Sequence, residues 1–594
     1  MASVATRAED VRWDLSELAA GADDARAQID ALAEAARAFG ERHRGRVAEL
    51  DGPALRELLD ELDELEQDAS RLEVYVSSRL NLAATDPEAN DLTTFSRDRV
   101  ADMQNSLVFF GLEWLALDDD AAEALLCSAQ LAPYAHRLRV AREEKPFVLG
   151  EAEEQALNAR RGAVGAWQAL HDRQVATIEV AFDGGDGEEP HNVSRLLSYV
   201  HHPEPQLRRA ALSALYEGLE PRADVLAACY DALVGDRLGV DRLRGFVEPM
   251  QPTNMSNELD ADIVDAMMSA TEESHGIARG WFQHKARLLG LERLELADQY
   301  APLGEARSVP WPEAVEIVET AFEHVSPRLA AIFRTSLEAG HVDAAPRAGK
   351  AGGAYCAGVS KQVLPYVLLN YTERMSDVTT LAHEFGHATH GALALERQAY
   401  RSYHTGLALA EVPSMLAELF ANDFLLESES DAQTRVALAA ELVENVFASI
   451  FRQVVLARFE QRAYALRREG RALSAERLSD LWLEENERYY GGSVALPEGY
   501  RVGWSYIPHF IHTRFYTYAY SFAQLVALLL HGRYREDPDA FVPRYLELLS
   551  AGGSASPAAL LEPFGLDLRS ADTWRAGFAQ LQELVGRAEA LTNS

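Results

Sequence analysis

His383, Glu384 and His387 lie in the run Ser376 to Gly391, SDVTTLAHEFGHATHG. Two histidines four apart on a helix project from one face, close enough for both imidazoles to bind a single metal ion. A glutamate one position after the first histidine reaches the ion's open coordination position. This is the arrangement that metal-assisted hydrolysis needs, with the carboxylate as general base. The run carries its own helix signals: Ser376 reads as the N-cap, Asp377 falls in the favourable first turn, and Gly391 is suited to end the helix.

Two histidines leave a tetrahedral site one protein ligand short. One extended class of HExxH enzymes has a glycine three residues beyond the second histidine and a histidine six beyond. Those positions here are His390 and Leu393, so the chain does not belong to that class. The third ligand is then expected to be a glutamate on a following helix. Within LALAEVPSMLAELF, Glu411 stands just ahead of Pro413, a first-turn residue, and is the choice. Glu396, His404, Glu418 and Asp423 are competitors. Glu418, two turns beyond Glu411, suits a supporting role, accepting a ring N–H from a ligating histidine. His390 reads as structural.

These groups must be held by elements that the sequence also sketches. From Asp23 to Leu50 and from Leu55 to Leu82, Ala and Leu recur every three or four residues among charges, which reads as helical hairpins. Arg99 to Leu117, with Phe109, Phe110 and Trp114, reads as a helix buried on more than one side. The β-branched TIEVAF at Thr177 to Phe182, followed by the turn-rich Gly184 to Pro190, reads as a hairpin and a lobe boundary. Helices resume after it, with Asn254 to Glu258 as a loop. Gly352 to Tyr371 carries two apolar runs joined by a polar link at Ser360 to Gln362, which reads as paired strands or an edge strand. The expected fold is mainly α, with residues 1–190 as an N-terminal helical lobe, 191–594 as the catalytic region, and a small β element beside the HExxH helix.

At 594 residues the chain is long enough for two or more lobes. A formal net charge of −37 repels phosphate backbones and anionic lipid surfaces, so no nucleic-acid or membrane partner is expected. The three cysteines, Cys127, Cys229 and Cys356, have no metal or disulfide spacing. The first residues carry acids where a signal peptide needs an apolar stretch, which makes the cytoplasm the expected compartment.

Three stretches taken together, GAYCAGVSKQVLPYVLLNY, LAHEFGHATH and AEVPSMLAELF, resemble the oligoendopeptidase F branch of the thimet oligopeptidase family of zinc metallopeptidases. The WDLSEL around Trp13 extends the resemblance towards the N-terminus. It implies a two-lobed helical molecule with a deep central channel, one Zn2+ per chain, and cleavage of internal bonds in short unstructured peptides. His383, His387 and Glu411 match the zinc ligands and Glu384 the general base. The resemblance also assigns substrate contacts to Ile507 to Ala523, IPHFIHTRFYTYAYSFA. There His509 and Tyr516 are candidate donors to the tetrahedral oxyanion, with His512 and Tyr518 beside them. Phe510, Phe515 and Phe522 read as core. Gly353, Ala354 and Tyr355 fit a strand that pairs with the substrate backbone, and Cys356 reads as a small apolar residue. The oligomeric state is not legible.

Overall fold

The computed structural model describes residues 7–185, 187–304 and 307–593. They form two units, each assembled from three stretches of chain. The first comprises Met1–Lys145, Arg307–Glu427 and Leu530–Leu566, and the second comprises Pro146–Ala306, Ser428–Leu529 and Asp567–Ser594. The division therefore differs from a single cut after residue 190, because segments far apart in sequence complete each core.

In the first unit, helices α1 (Ala22–His43), α2 (Gly52–Leu82) and α3 (Pro87–Ala116) pack together. Two of them start with an aspartate and a proline. Asp51 Oδ1 accepts from the Ala54 amide at 3.0 Å, and Asp86 Oδ1 from the Glu88 amide at 3.0 Å. Each carboxylate satisfies an orphan donor of the first turn, where proline lacks the N–H that would go unpaired. The α2 stripe Leu55, Leu58, Leu59 and Leu62 is buried against Phe109, Phe110 and Trp114 of α3, so the buried helix expected at Arg99 to Leu117 is the C-terminal part of α3.

A three-stranded sheet in the same unit has the order β1-β3-β2. β1 (Val342–Asp343) runs parallel to β3 (Tyr366–Leu368), and β2 (Tyr355–Ala357) runs antiparallel to it with Cys356 opposite Val367. β2 is thus the edge strand that the apolar runs suggested. The sheet is anchored from the N-terminus: Trp13 Nε1 donates to the Val367 and His341 carbonyls at 2.9 and 3.1 Å. Lys350, its side chain fully buried, is neutralised by Asp343 Oδ1 at 2.7 Å and also donates to the Ala345 carbonyl at 2.9 Å. That arrangement gives the buried ammonium both a counter-charge and a hydrogen-bond acceptor. Helices α4 (Met375–Arg397) and α5 (Val412–Ser428) follow, and α4 packs against β2 and against the helix Pro538–Ala551.

The second unit is built from helices, among them Glu151–Ala176, Ala223–Arg244, Gln453–Arg468 and Ala571–Thr592. It carries the expected hairpin, Val180–Asp183 antiparallel to Glu188–His191. Asn254, read as loop, lies instead in the short helix Gln251–Ser256. Among the described residues no helix is long and apolar enough to cross a membrane.

Candidate metal centre

The helix that presents HEFGH starts at Met375, two residues earlier than a Ser376 cap would give. Asp377, not Ser376, caps α4: its Oδ2 accepts from the Thr372 amide at 2.6 Å and the Arg374 amide at 3.1 Å. The negative group also sits at the positive end of the helix dipole. Gly391 does not end the helix, which continues to Arg397; a Cβ there would meet only Pro365 Cγ at 3.5 Å. Its backbone stays helical, and the space beside it would accept a Cβ in ordinary contact.

His383 and His387 rise from one face of α4 with ring centroids 5.0 Å apart. Glu411 stands between the short helix Leu407–Ala410 and α5. Its Oε2 is 3.6 Å from His383 Nε2 and 3.5 Å from His387 Nε2. The three side chains place their ligand atoms within 4.8 Å of one another, a spacing that suits one small cation. Ser414 Oγ donates to Glu411 Oε2 at 3.2 Å and to the Glu411 carbonyl at 2.8 Å, which fixes the carboxylate's orientation. His383 Nδ1–H donates to Glu418 Oε1 at 2.5 Å. A carboxylate only accepts, so Nδ1 carries a proton, and Nε2 is the ring atom turned to the ligand cluster.

The competitors are engaged elsewhere. Glu396 pairs with Arg328, and Asp423 accepts from His531 Nε2 at 2.6 Å. His404 lies against Tyr403 with ring centroids 3.8 Å apart, and burial pushes the pKa of His390 down to about 4, so its ring is neutral.

The electrostatics of the cluster favour a cation. Burial works against a charged His383, yet its hydrogen bond to Glu418 and the Glu418, Glu384 and Glu411 carboxylates outweigh that penalty and hold it at about 9. Glu384 is 5% exposed, and burial raises its carboxyl above the ordinary range against the pull of both histidines. For Glu411 burial also acts upward, but the hydrogen bond and charge of His387 prevail and lower it. His383, His387 and the Glu411 carboxylate thus form a donor set of nitrogen and oxygen of the kind zinc takes, with Glu384 and Glu418 adding negative charge around it.

Close helix contact brings Glu411 to the histidines. A Cβ on Gly386, the fourth residue of HEFGH, would lie 2.4 Å from Ser414 Cα and 2.6 Å from the Pro413 carbonyl oxygen. Only glycine lets α5 lie this near the HExxH face. Gly386→Ala is expected to cost about 1–3 kcal/mol through overpacking and to displace Glu411. A lower melting temperature together with weakened zinc uptake in a metal titration checks it. Glu418→Gln should leave the metal-free melt close to the parent's and weaken zinc binding about 10–100-fold, read by competition with a chelating dye.

The edge strand offers the expected backbone. Gly353 (φ 79°) and Ala354 lead into β2, where Asn370 Nδ2 donates to the Gly353 carbonyl at 2.8 Å and Asn81 Nδ2 to the Tyr355 hydroxyl at 2.8 Å. Tyr355 is therefore partly engaged by its own unit. Cys356 is half-buried, and burial and the charge of Glu384 push its thiol up, away from a reactive thiolate.

The other candidates belong to the second unit. His509 and Tyr516 stack with ring centroids 5.7 Å apart. His512 is exposed and its Nε2 is 3.0 Å from Asp172 Oδ1. Tyr518 is a correction: it is fully buried at the start of a helix and its hydroxyl accepts from Asn257 Nδ2 at 3.0 Å, so it belongs to the core. Tyr520, missed in the sequence, is half-buried beside Tyr516, centroids 4.9 Å apart, and 6.1 Å from His509. Its i+4 spacing from Tyr516 was the available signal. Phe510, Phe515 and Phe522 are core, as expected. Phe515 adopts a left-handed backbone (φ 52°), and its amide donates to the buried Glu460 at 2.8 Å, a constraint on the loop that precedes Tyr516.

With the geometry in view, the comparisons with known proteins point one way. The profile of Peptidase family M3 matches residues 198–580, and that of Oligopeptidase F matches residues 113–179. The chain belongs to peptidase family M3. It is a metalloendopeptidase of the oligoendopeptidase F branch. It is 22% identical to oligopeptidase PepF of Bacillus subtilis over 93% of this chain and 82% of that one. It is 26% identical to group B oligopeptidase PepB of Streptococcus agalactiae over 89% and 90%. A crystal structure of oligoendopeptidase-F from Enterococcus faecium, 20% identical, has the same fold with a TM-score of 0.71 over 95% of this chain and 98% of that one.

Proposed function

We propose that this M3 peptidase is a zinc-dependent oligoendopeptidase that hydrolyses internal bonds of short, unstructured peptides, with His383, His387 and Glu411 as ligands and Glu384 as general base. The convergence of the three ligand atoms beside the buried Glu384 carboxylate carries the reading. A zinc ion held there supplies Lewis acidity towards a water molecule and the scissile carbonyl. Glu384, whose burial raises its proton affinity, takes the proton of the attacking water and then hands it to the leaving amine. Glu418 keeps His383 in the tautomer that presents Nε2. The open edge of β2 with Gly353 and Ala354 pairs with substrate backbone, giving affinity with little side-chain demand. His509 and Tyr516, the residues that the family resemblance assigns, are the proposed hydrogen-bond donors for the oxyanion. The strongly acidic surface fits a cytoplasmic protein whose partners are peptides.

The test is cleavage of a short quenched fluorescent peptide with and without phenanthroline, followed by zinc. Internal cleavage abolished by the chelator and restored by zinc supports the reading. Zinc-loaded protein that cleaves nothing across a varied peptide panel removes it.

A further inference from the structure

Two residues of the aromatic segment are pinned from outside it, and each is the chain neighbour of a proposed oxyanion donor. Phe510 follows His509, and its carbonyl accepts from Arg237 Nη1 at 2.8 Å; the same guanidinium reaches the Ile511 carbonyl. Phe515 precedes Tyr516, and its amide donates to Glu460 Oε2 at 2.8 Å. Arg237 lies on the helix Ala223–Arg244 and Glu460 on the helix Gln453–Arg468. Both phenyl rings are in the core, Phe510 with its centroid 5.0 Å from Phe459 and Phe515 4.8 Å from Tyr464. Tyr464 ties the two ends together, since its hydroxyl also accepts from Arg237 Nη1 at 3.2 Å. Between the anchors His512 and Thr513 are exposed.

A carboxyl group in the core needs a reason. Glu460 is fully buried, and burial pushes it up to about 8 against the charge of Arg237, the Phe515 amide and the charge of Arg514, so at neutral pH it is mainly uncharged. Its other oxygen has no hydrogen-bond partner among the described residues. What Glu460 supplies is an acceptor for a buried amide in a residue whose backbone is left-handed (φ 52°), a conformation that a bulky side chain disfavours. An apolar residue at 460 fills the space but leaves that amide unpaired, and Phe515 then loses the contact that holds its dihedrals. Tyr516 is the next residue, so any change in those dihedrals redirects it. Its ring stacks on His509 at 15° between planes and 5.7 Å between centroids, which makes the pair sensitive to both anchors.

We infer that Glu460 and Arg237 are positioning residues for peptide hydrolysis: by holding the Phe515 amide and the Phe510 carbonyl they set Tyr516 against His509. The inference rests on the donor reading of His509 and Tyr516 given above and adds what places them. Neither residue is assigned a contact with substrate or metal.

The experiment is a double-mutant cycle read as kcat and KM on one short peptide. Tyr516→Phe is expected to lower kcat about 10²–10³-fold, the loss of one oxyanion donor. Glu460→Met and Arg237→Met should each lower kcat about 10–100-fold, with KM and zinc content close to the parent's. Added to either of them, Tyr516→Phe should cost far less than it does alone, because a misplaced donor has already lost its contribution. Glu460→Gln, whose amide oxygen still accepts from Phe515, should keep most of the parental kcat. Arg237→Met leaves no backbone N–H unpaired, so it decides the matter if Glu460→Met does not fold. Parental kcat in the folded Met variants, losses that add fully to that of Tyr516→Phe, or a Glu460→Gln protein as impaired as Glu460→Met overturns the inference and leaves the donor reading standing. Parental kcat in Tyr516→Phe removes the donor reading, and the inference with it.

Discussion

Glu384→Gln is expected to lower kcat by a factor on the order of 10²–10⁴ while the protein keeps its zinc. The amide is nearly isosteric, so the buried site and the convergence of His383, His387 and Glu411 on one point remain. What is lost is a group able to accept a proton between the attack of water and the departure of the amine. Because substrate binding does not use that proton, KM should change far less than kcat. Zinc content by atomic emission and steady-state kinetics on one peptide decide it; near wild-type turnover would remove Glu384 from the general-base role.

Glu411→Ala attacks the same reaction one step earlier and should look different. Its Oε2 is the group that faces both Nε2 atoms, at 3.5 and 3.6 Å. Without it two ligands remain, and zinc affinity should fall by more than the 10–100-fold expected for Glu418→Gln, which only orients a ligand. Activity should drop to background at stoichiometric zinc. Fold retention is expected, since the change removes one of several crowded carboxylates. Zinc should raise the melting temperature of the parent and not of the variant, because a ligand stabilises only the state that binds it. Equal zinc-induced shifts in both proteins would mean that another residue is the third ligand.

The cluster of His383, His387 and Glu411 was legible because its signals are local: the i, i+4 histidines of α4, and a glutamate two residues ahead of Pro413. The cap of α4 was not, because Asp377 reaches back to the amides of Thr372 and Arg374, and a serine one residue away made the more familiar signal. Gly391 was read as a stop because glycine commonly ends helices, whereas here the helix runs on through it to Arg397. In the aromatic segment Tyr518 was read as a substrate contact and Tyr520 was passed over, because which tyrosine turns inward depends on where the helix begins. The loop before it holds a left-handed Phe515 whose amide donates to the distant Glu460, and no local pattern records that contact. The division into units escaped for the same reason, since helical periodicity does not say which helices share a core.

The interleaving of the two units has a consequence for biosynthesis. A chain emerging from the ribosome cannot finish the first unit when the HEFGH helix appears, because the helix Pro538–Ala551, which packs on it, is made some 140 residues later. Domains that are contiguous in sequence can mature one after another during translation. The helix that carries HEFGH acquires this support only once residues 538–551 have been made, and fragments truncated ahead of Leu530 lack a segment of the first unit's core.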